Sequence, residues 1–480
     1  MGGAYSSVHQ GLLVYNSTKH FEIIPNFPEV EASAMTASQA DEHPPGPNGI
    51  PLLGHTISVM RDPFGFYEEL APYGDVVEYR TMLGRFTALL HPEHVERVLV
   101  REPDRFVQVD IADFDIGIDP EGLVDVRGEQ WRRQRTVMQP AFTMDRIQSY
   151  ADAMADVADD ALGTWVEGEP IALDEAFSDL TLRILTRSLF DLHVDTEEAD
   201  VIARMAHLLN EQIAVGNLSV LLPSWLPTPA NRRFKRTYGA FVALVDRMIA
   251  DRRRREDPGT DLLSILLTAQ TEAGESLTET ELRDNMLTFL FAGHETTSLG
   301  LTYTVMELAQ QPETVARLRE EFDEVIGDGL PRFEHIPQLE HTAHVLDEAL
   351  RLYPPVPILF REVTEPASFD GHRVDAGSVV TLPQFHIHRD ERFWEDPTTF
   401  DPDRWGHDRS TDRPEYAYFP FGGGPRHCIG MRFARLELQL VLAILLRRFD
   451  IELVSDPDIA FDPGMTLRPA DDIRVRIHER

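Results

Sequence analysis

The stretch "FPFGGGPRHCIG", Phe419 to Gly430, holds the only cysteine in a chain of 480 residues. One thiol leaves no internal disulfide, no Cys-rich zinc site and no CxxC redox pair. What remains is a buried apolar thiol, a nucleophile or a single-thiolate metal ligand. Three consecutive glycines, Gly422 to Gly424, and then Pro425 force a tight backbone poor in side chains, so something bulky can approach it. Behind the cysteine, "IGMRFARLELQLVLAILLRRF" (residues 429–449) has strong helical periodicity. The sulfur therefore stands at or just before a helix N-terminus, where the dipole and unpaired N–H groups favour a thiolate, and Arg426 adds positive charge nearby.

Outward from this loop, composition narrows the function classes. The chain carries 81 acidic against 45 basic residues, a formal net charge of -36. Nucleic acid is excluded as a partner, because phosphate binding needs clustered Lys and Arg. Only two of the basic residues are lysines, Lys19 and Lys235. An acidic, lysine-poor surface suits a protein kept soluble in concentrated salt, where self-repulsion is screened, and a halophilic host is the expectation. GC-rich codon usage with a generally acidic surface is the alternative. No apolar run reaches the roughly 18 residues that span a bilayer, which predicts a soluble, cytoplasmic protein without a transmembrane anchor. Residues 1–42 lack sustained periodicity and read as a disordered leader or a mis-assigned start, with Met35 the candidate true start. From Pro44 onward one continuous domain is expected, residues 43–480: mainly α with a smaller β region. Strand character gathers near 79–91, 357–385 and 451–479.

The clearest helix spans about 278–310, where Thr278 and Glu281 fit a capping box. About 30 residues at 1.5 Å rise cross a whole domain, so its centre should be buried. That centre reads "AGHETT", Ala292 to Thr297, a polar patch between apolar turns. Glu295 paired with a distant arginine and Thr296 bonded to an upstream carbonyl would make the patch structural. An acid–alcohol pair managing protons, with Gly293 opening room for a flat ligand, would make it functional. The helix alone leaves both open. A nucleophilic cysteine wants a placed base, whereas a haem iron wants one thiolate and a vacant opposite site.

At this point the cysteine loop resembles the haem-binding signature of the cytochrome P450 superfamily, F-x-x-G-x-R-x-C-x-G, at Phe421, Gly424, Arg426, Cys428 and Gly430. Other segments resemble further family motifs in the family's order. The long helix is similar to its oxygen-binding helix through Ala292, Gly293, Glu295, Thr296 and Thr297, and "EALRLYPP" supplies E-x-x-R as Glu348 and Arg351. "FDPDRW" supplies Arg404, and "WRRQR" resembles the W-x-x-x-R of the C helix through Trp131 and Arg135. The resemblance implies the family's fold, a single large helical domain with a small sheet. It implies haem b with Cys428 as axial ligand, propionates held by Trp131, Arg135, Arg361 and Arg426, and Phe421 beside the cofactor. Glu295 and Thr296 would be the catalytic proton-handling pair, and Glu348, Arg351 and Arg404 a structural network behind the cysteine loop.

The implied activity is that of a monooxygenase placing one atom of dioxygen into a hydrophobic small molecule by hydroxylation or epoxidation. Retention of the acid–alcohol pair favours this over a peroxygenase or an isomerase. No flavin or iron–sulfur segment is visible, so a ferredoxin or flavodoxin with its reductase is the expected electron donor, and the protein is expected to be a monomer. Arg426, Arg432 and Arg435 would give that donor a less acidic docking face. A gas sensor would normally carry an output domain, and none is visible.

Overall fold

The structure, a computed structural model, describes residues 43–480 except 110–119, 214–224, 258, 260, 269, 271–273 and 407–412. The leader expected over 1–42 lies outside the described residues. The described part opens with α1 (Thr56–Arg61), α2 (Gly65–Leu70), β1 (Val76–Thr81), β2 (Gly84–Leu89), α3 (Pro92–Glu96) and β3 (Phe106–Gln108). A helical body follows: α4 (Gly128–Met138), α5 (Met144–Leu162), the short β4 (Pro170–Ala172), α6 (Leu173–Phe190), α7 (Thr196–Ile213) and α8 (Pro229–Arg254). It continues through α9 (Leu262–Thr268), α10 (Glu279–Leu308), α11 (Pro312–Val325) and α12 (Glu340–Leu352). Four strands come next, β5 (Leu359–Val363), β6 (Ala367–Phe369), β7 (His372–Val374) and β8 (Val379–Leu382), then α13 (Gln384–Ile387) and, past the cysteine loop, α14 (Met431–Arg448). The chain closes with β9 (Phe449–Leu453), β10 (Phe461–Pro463), β11 (Leu467–Pro469) and β12 (Arg474–Glu479).

The expected mainly helical architecture with a smaller sheet is what forms. One five-stranded sheet has the order β1-β2-β8-β5-β3, in which β2 and β8 run parallel and the remaining pairs antiparallel. β4, β12 and β9 make a second sheet, and β10 pairs with β11 as a hairpin. Helix α10 begins at the expected box: Glu281 N–H donates to Thr278 Oγ1 and Thr278 N–H to Glu281 Oε2. It packs against α6, α7, α8, α12 and α14, so it lacks one apolar stripe and is buried on several sides. That burial puts the Glu295 carboxylate inside the molecule, where every polar atom needs a partner.

Candidate active site

The cysteine loop bends where glycine permits it. Gly422 (φ 70°) and Gly424 (φ 62°) occupy the left-handed region, and Cys428 N–H donates to Phe421 O at 2.9 Å, closing the loop. Two of the three glycines also admit neighbouring protein. A Cβ on Gly424 would lie 1.8 Å from the Leu99 carbonyl oxygen, and one on Gly423 2.6 Å from the Tyr416 ring, so both let the loop pack on the protein. Gly293 behaves likewise: its Cβ would meet Leu185 Cδ1 on α6 at 2.8 Å, so it brings two helices together.

Cys428 is solvent-accessible, though protein surrounds it closely. Burial raises its thiol above the ordinary value, against smaller opposing effects of the Gly430 N–H and the Arg135 charge. The helix terminus and Arg426 were expected to lower it, so the sign is a correction. Desolvation of the sulfur outweighs the Gly430 N–H and the Arg135 charge, and a metal cation at the sulfur would favour the thiolate.

The charge around the loop is positive and calls for an anionic group beside the sulfur. Arg361 is almost fully buried, gives a hydrogen bond to the Phe360 carbonyl at 2.8 Å and is held down to about 10 by burial. Arg426 donates to the Val126 carbonyl at 2.6 Å and lies over the Trp131 ring at 4.6 Å. Burial, then the charges of Arg361, Arg127 and Arg135, bring it to about 10. Arg135 donates to the His427 carbonyl at 3.2 Å and is also lowered by burial. Among the described residues none of these three guanidiniums makes an ion pair with a carboxylate. Asp125 acts on Arg426 through space without pairing with it. Clustered, partly or wholly buried guanidiniums without a paired carboxylate suit a dianionic group such as haem with its two propionates.

Arg127 joins this cluster and was missed from sequence. It is bound to Glu362 at 2.8 Å, while its Nε and Nη2 are buried without a partner. Its position four residues before Trp131 on the same helix start was the available signal. Arg435, by contrast, leaves the expected docking face: it points to Asp347 at 2.6 Å, and only Arg432 of the three arginines is exposed.

The network behind the loop is fully buried. Glu348 and Arg351 lie three residues apart on α12 and meet through Arg351 Nη2 to Oε1 (2.7 Å) and Nε to Oε2 (2.9 Å). Arg404 Nε (2.8 Å), Trp405 Nε1 (3.0 Å) and the Asp401 N–H (2.9 Å) donate to the same carboxylate. The arginines' remaining N–H groups reach the carbonyls of His388, Pro397, Thr399 and Glu395. His388 then accepts from the Phe419 N–H at 3.0 Å, which ties this network to the start of the cysteine loop.

In α10, both bonds a purely structural patch would need are present. Thr296 Oγ1 donates to the Ala292 carbonyl at 2.9 Å, and Glu295 Oε1 accepts from Arg468 Nε (2.8 Å) and Thr466 Oγ1 (2.6 Å). Burial pushes the Glu295 carboxyl up, but the Arg468 charge, with Thr466 and His294, more than reverses this, leaving it below its ordinary value. Structure alone does not account for the other oxygen. Glu295 Oε2 is buried with no hydrogen-bond partner. Arg468 and Thr466 escaped the sequence reading of proton handling because they lie 173 and 171 residues downstream of Glu295.

Comparisons with known proteins agree with this site. The family profile described as Cytochrome P450 matches residues 44–476. The chain is 34% identical over 423 residues to cyclooctat-9-en-7-ol 5-monooxygenase of Streptomyces melanosporofaciens, covering 88% of this chain and 90% of that one. It is 33% identical to pentalenene oxygenase of Streptomyces avermitilis, covering 86% and 92%. Among solved structures, the retinoic acid bound cyanobacterial CYP120A1 superimposes with a TM-score of 0.82 at 26% identity, covering 92% of this chain and all of the other. With a haem-thiolate loop, a cationic cradle and a match running nearly end to end, the chain belongs to the cytochrome P450 family and is a haem-thiolate monooxygenase.

Proposed function

We propose that this monooxygenase acts on a polycyclic terpenoid, with Cys428 as the thiolate that would hold the haem iron and Glu295 and Thr296 as the proton-handling pair. The substrate class is supported by the relatives named for cyclooctat-9-en-7-ol and pentalenene, and by the apolar segments 355–360 and 464–469. Trp131, Arg135, Arg361 and Arg426 would hold the propionates, and Phe421, whose carbonyl accepts the Cys428 N–H, would lie beside the cofactor. When bound, the haem supplies dioxygen reduction, with the thiolate's electron density favouring O–O cleavage. Each turnover takes substrate, dioxygen, two electrons and two protons to hydroxylated product and water. Glu295 passes protons through its unpartnered oxygen, and Thr296, whose hydroxyl proton rests on Ala292, keeps lone pairs to receive them.

A ferredoxin or flavodoxin with its reductase brings the electrons to a monomeric, cytoplasmic enzyme. The acidic, lysine-poor composition supports a halophilic host. The observation that carries the reading is that Arg135, Arg361 and Arg426 gather at the cysteine loop with no carboxylate paired to them among the described residues. The test is the absorption spectrum of the ferrous protein with carbon monoxide. A strongly red-shifted Soret band that disappears in Cys428→Ala is expected, and a band that survives removes the ligand assignment. Spin-state shifts on adding pentalenene then check the substrate class; no shift with any polycyclic terpene counts against it.

A further inference from the structure

Glu295 is held from outside its own helix. The β10–β11 hairpin meets α10 at Tyr303, whose hydroxyl donates to the Leu467 carbonyl at 2.5 Å, and meets the segment after α12 where Leu467 N–H reaches the Pro355 carbonyl at 2.9 Å. On its other side, Asn210 of α7, itself buried, accepts the Thr466 N–H at 3.1 Å. Gly464 makes that seat possible: a Cβ there would lie 2.2 Å from the Asn210 amide nitrogen. Thr466 has one hydroxyl proton, and the 2.6 Å bond to Glu295 claims it over the 3.2 Å approach to Asn210. The result is a carboxylate with one oxygen fastened by two donors and the other bare.

A fully buried carboxylate oxygen without a partner is unfavourable, and a carboxylate with free rotamers would bring either oxygen to its donors. The hairpin prevents the second outcome. We propose that Arg468 and Thr466, seated by Asn210, are positioning residues that hold Glu295 by Oε1 and so reserve Oε2 for proton transfer. This rests on the reading of Glu295 as a proton carrier. The groups that face the carboxylate are His294 on its own helix and Arg468 on β11; Asp174 of α6 and Asp462 of β10 act in turn on Arg468. Burial lowers the His294 pKa, and the Arg468 charge is the largest influence opposing burial at Glu295.

The test uses the haem-loaded protein in two measurements. Infrared titration follows the protonated carboxyl band assigned by its loss in Glu295→Gln. In Arg468→Met its midpoint is expected to rise by about one pH unit or more, a tenfold change in proton affinity, and Arg468→Lys is expected to restore most of the original value. Second, dioxygen consumption driven by a plant-type ferredoxin and its reductase is measured in H2O and D2O. Arg468→Met is expected to change the solvent isotope effect in the same direction as Glu295→Gln, and Gly464→Ala, which displaces Asn210 but keeps the ion pair, to do so more weakly. A merely structural hairpin would lower thermal stability and leave the isotope effect alone. If Glu295→Gln alters the isotope effect while Arg468→Met and Gly464→Ala do not, the positioning role is overturned and the Glu295 role stands. If Glu295→Gln itself changes nothing, the proton-carrier reading falls and this inference with it.

Discussion

At the residue scale, two buried glutamates illustrate opposite solutions. Glu348 gathers five donors, among them two guanidiniums, in a site without solvent, so neither arginine is left with a bare charge. Removing its carboxylate strands both. Glu348→Ala is expected to cost about 3–5 kcal/mol, read by denaturant unfolding; a loss below about 1 kcal/mol would place the pair among solvated surface ion pairs. Glu437, on α14 nine residues past the cysteine, has neither oxygen bonded, and burial raises its pKa well above the ordinary value. A carboxyl whose folded pKa exceeds its unfolded one stabilises the fold below the unfolded pKa and loses that stabilisation as pH rises toward the folded one. Glu437→Leu should therefore gain on the parent as pH climbs from about 4.3 and hold a constant lead above the folded pKa. Unfolding curves of both proteins across that range check it, and a difference independent of pH would show the group ionised in the folded state.

At the scale of elements, the loop before α14 shows why adjacent glycines are unequal. Gly422 and Gly424 share the left-handed conformation, which costs another residue about 1–2 kcal/mol. Beyond that they differ, because a Cβ at 422 finds only Leu359 at 3.8 Å, whereas one at 424 runs into the Leu99 carbonyl. Gly422→Ala should bind haem nearly normally, and Gly424→Ala should lose most of it, measured as the ratio of Soret to protein absorbance. Equal loss in both would mean that backbone conformation alone governs the loop. The periodicity of α14 and the capping box of α10 were legible because helix signals are local. The clash at Leu99 was not, since it joins residues more than 300 positions apart.

For the whole molecule, a net charge of -36 dominates. Self-repulsion among so many carboxylates acts over about 30 Å at 0.01 M salt and about 3 Å at 1 M. The melting temperature should rise steadily from dilute buffer to molar KCl; a maximum in dilute buffer would sink the halophilic proposal. The sequence by itself determined the mainly helical class, the capped central helix, the glycine-rich turn and which residue types could serve a thiolate haem, because each depends on spacing along a short run of chain. It also supplied Glu348, Arg351 and Arg404 as candidates, though only folding showed them sharing one carboxylate. Tertiary structure alone decided the sign of the Cys428 shift, the addition of Arg127 to the cationic cluster, the diversion of Arg435 to Asp347 and the capture of Glu295 by Arg468. The physical reason is common to all four: desolvation and charge pairing depend on what the fold brings within a few ångströms, and those partners come from distant segments of the chain.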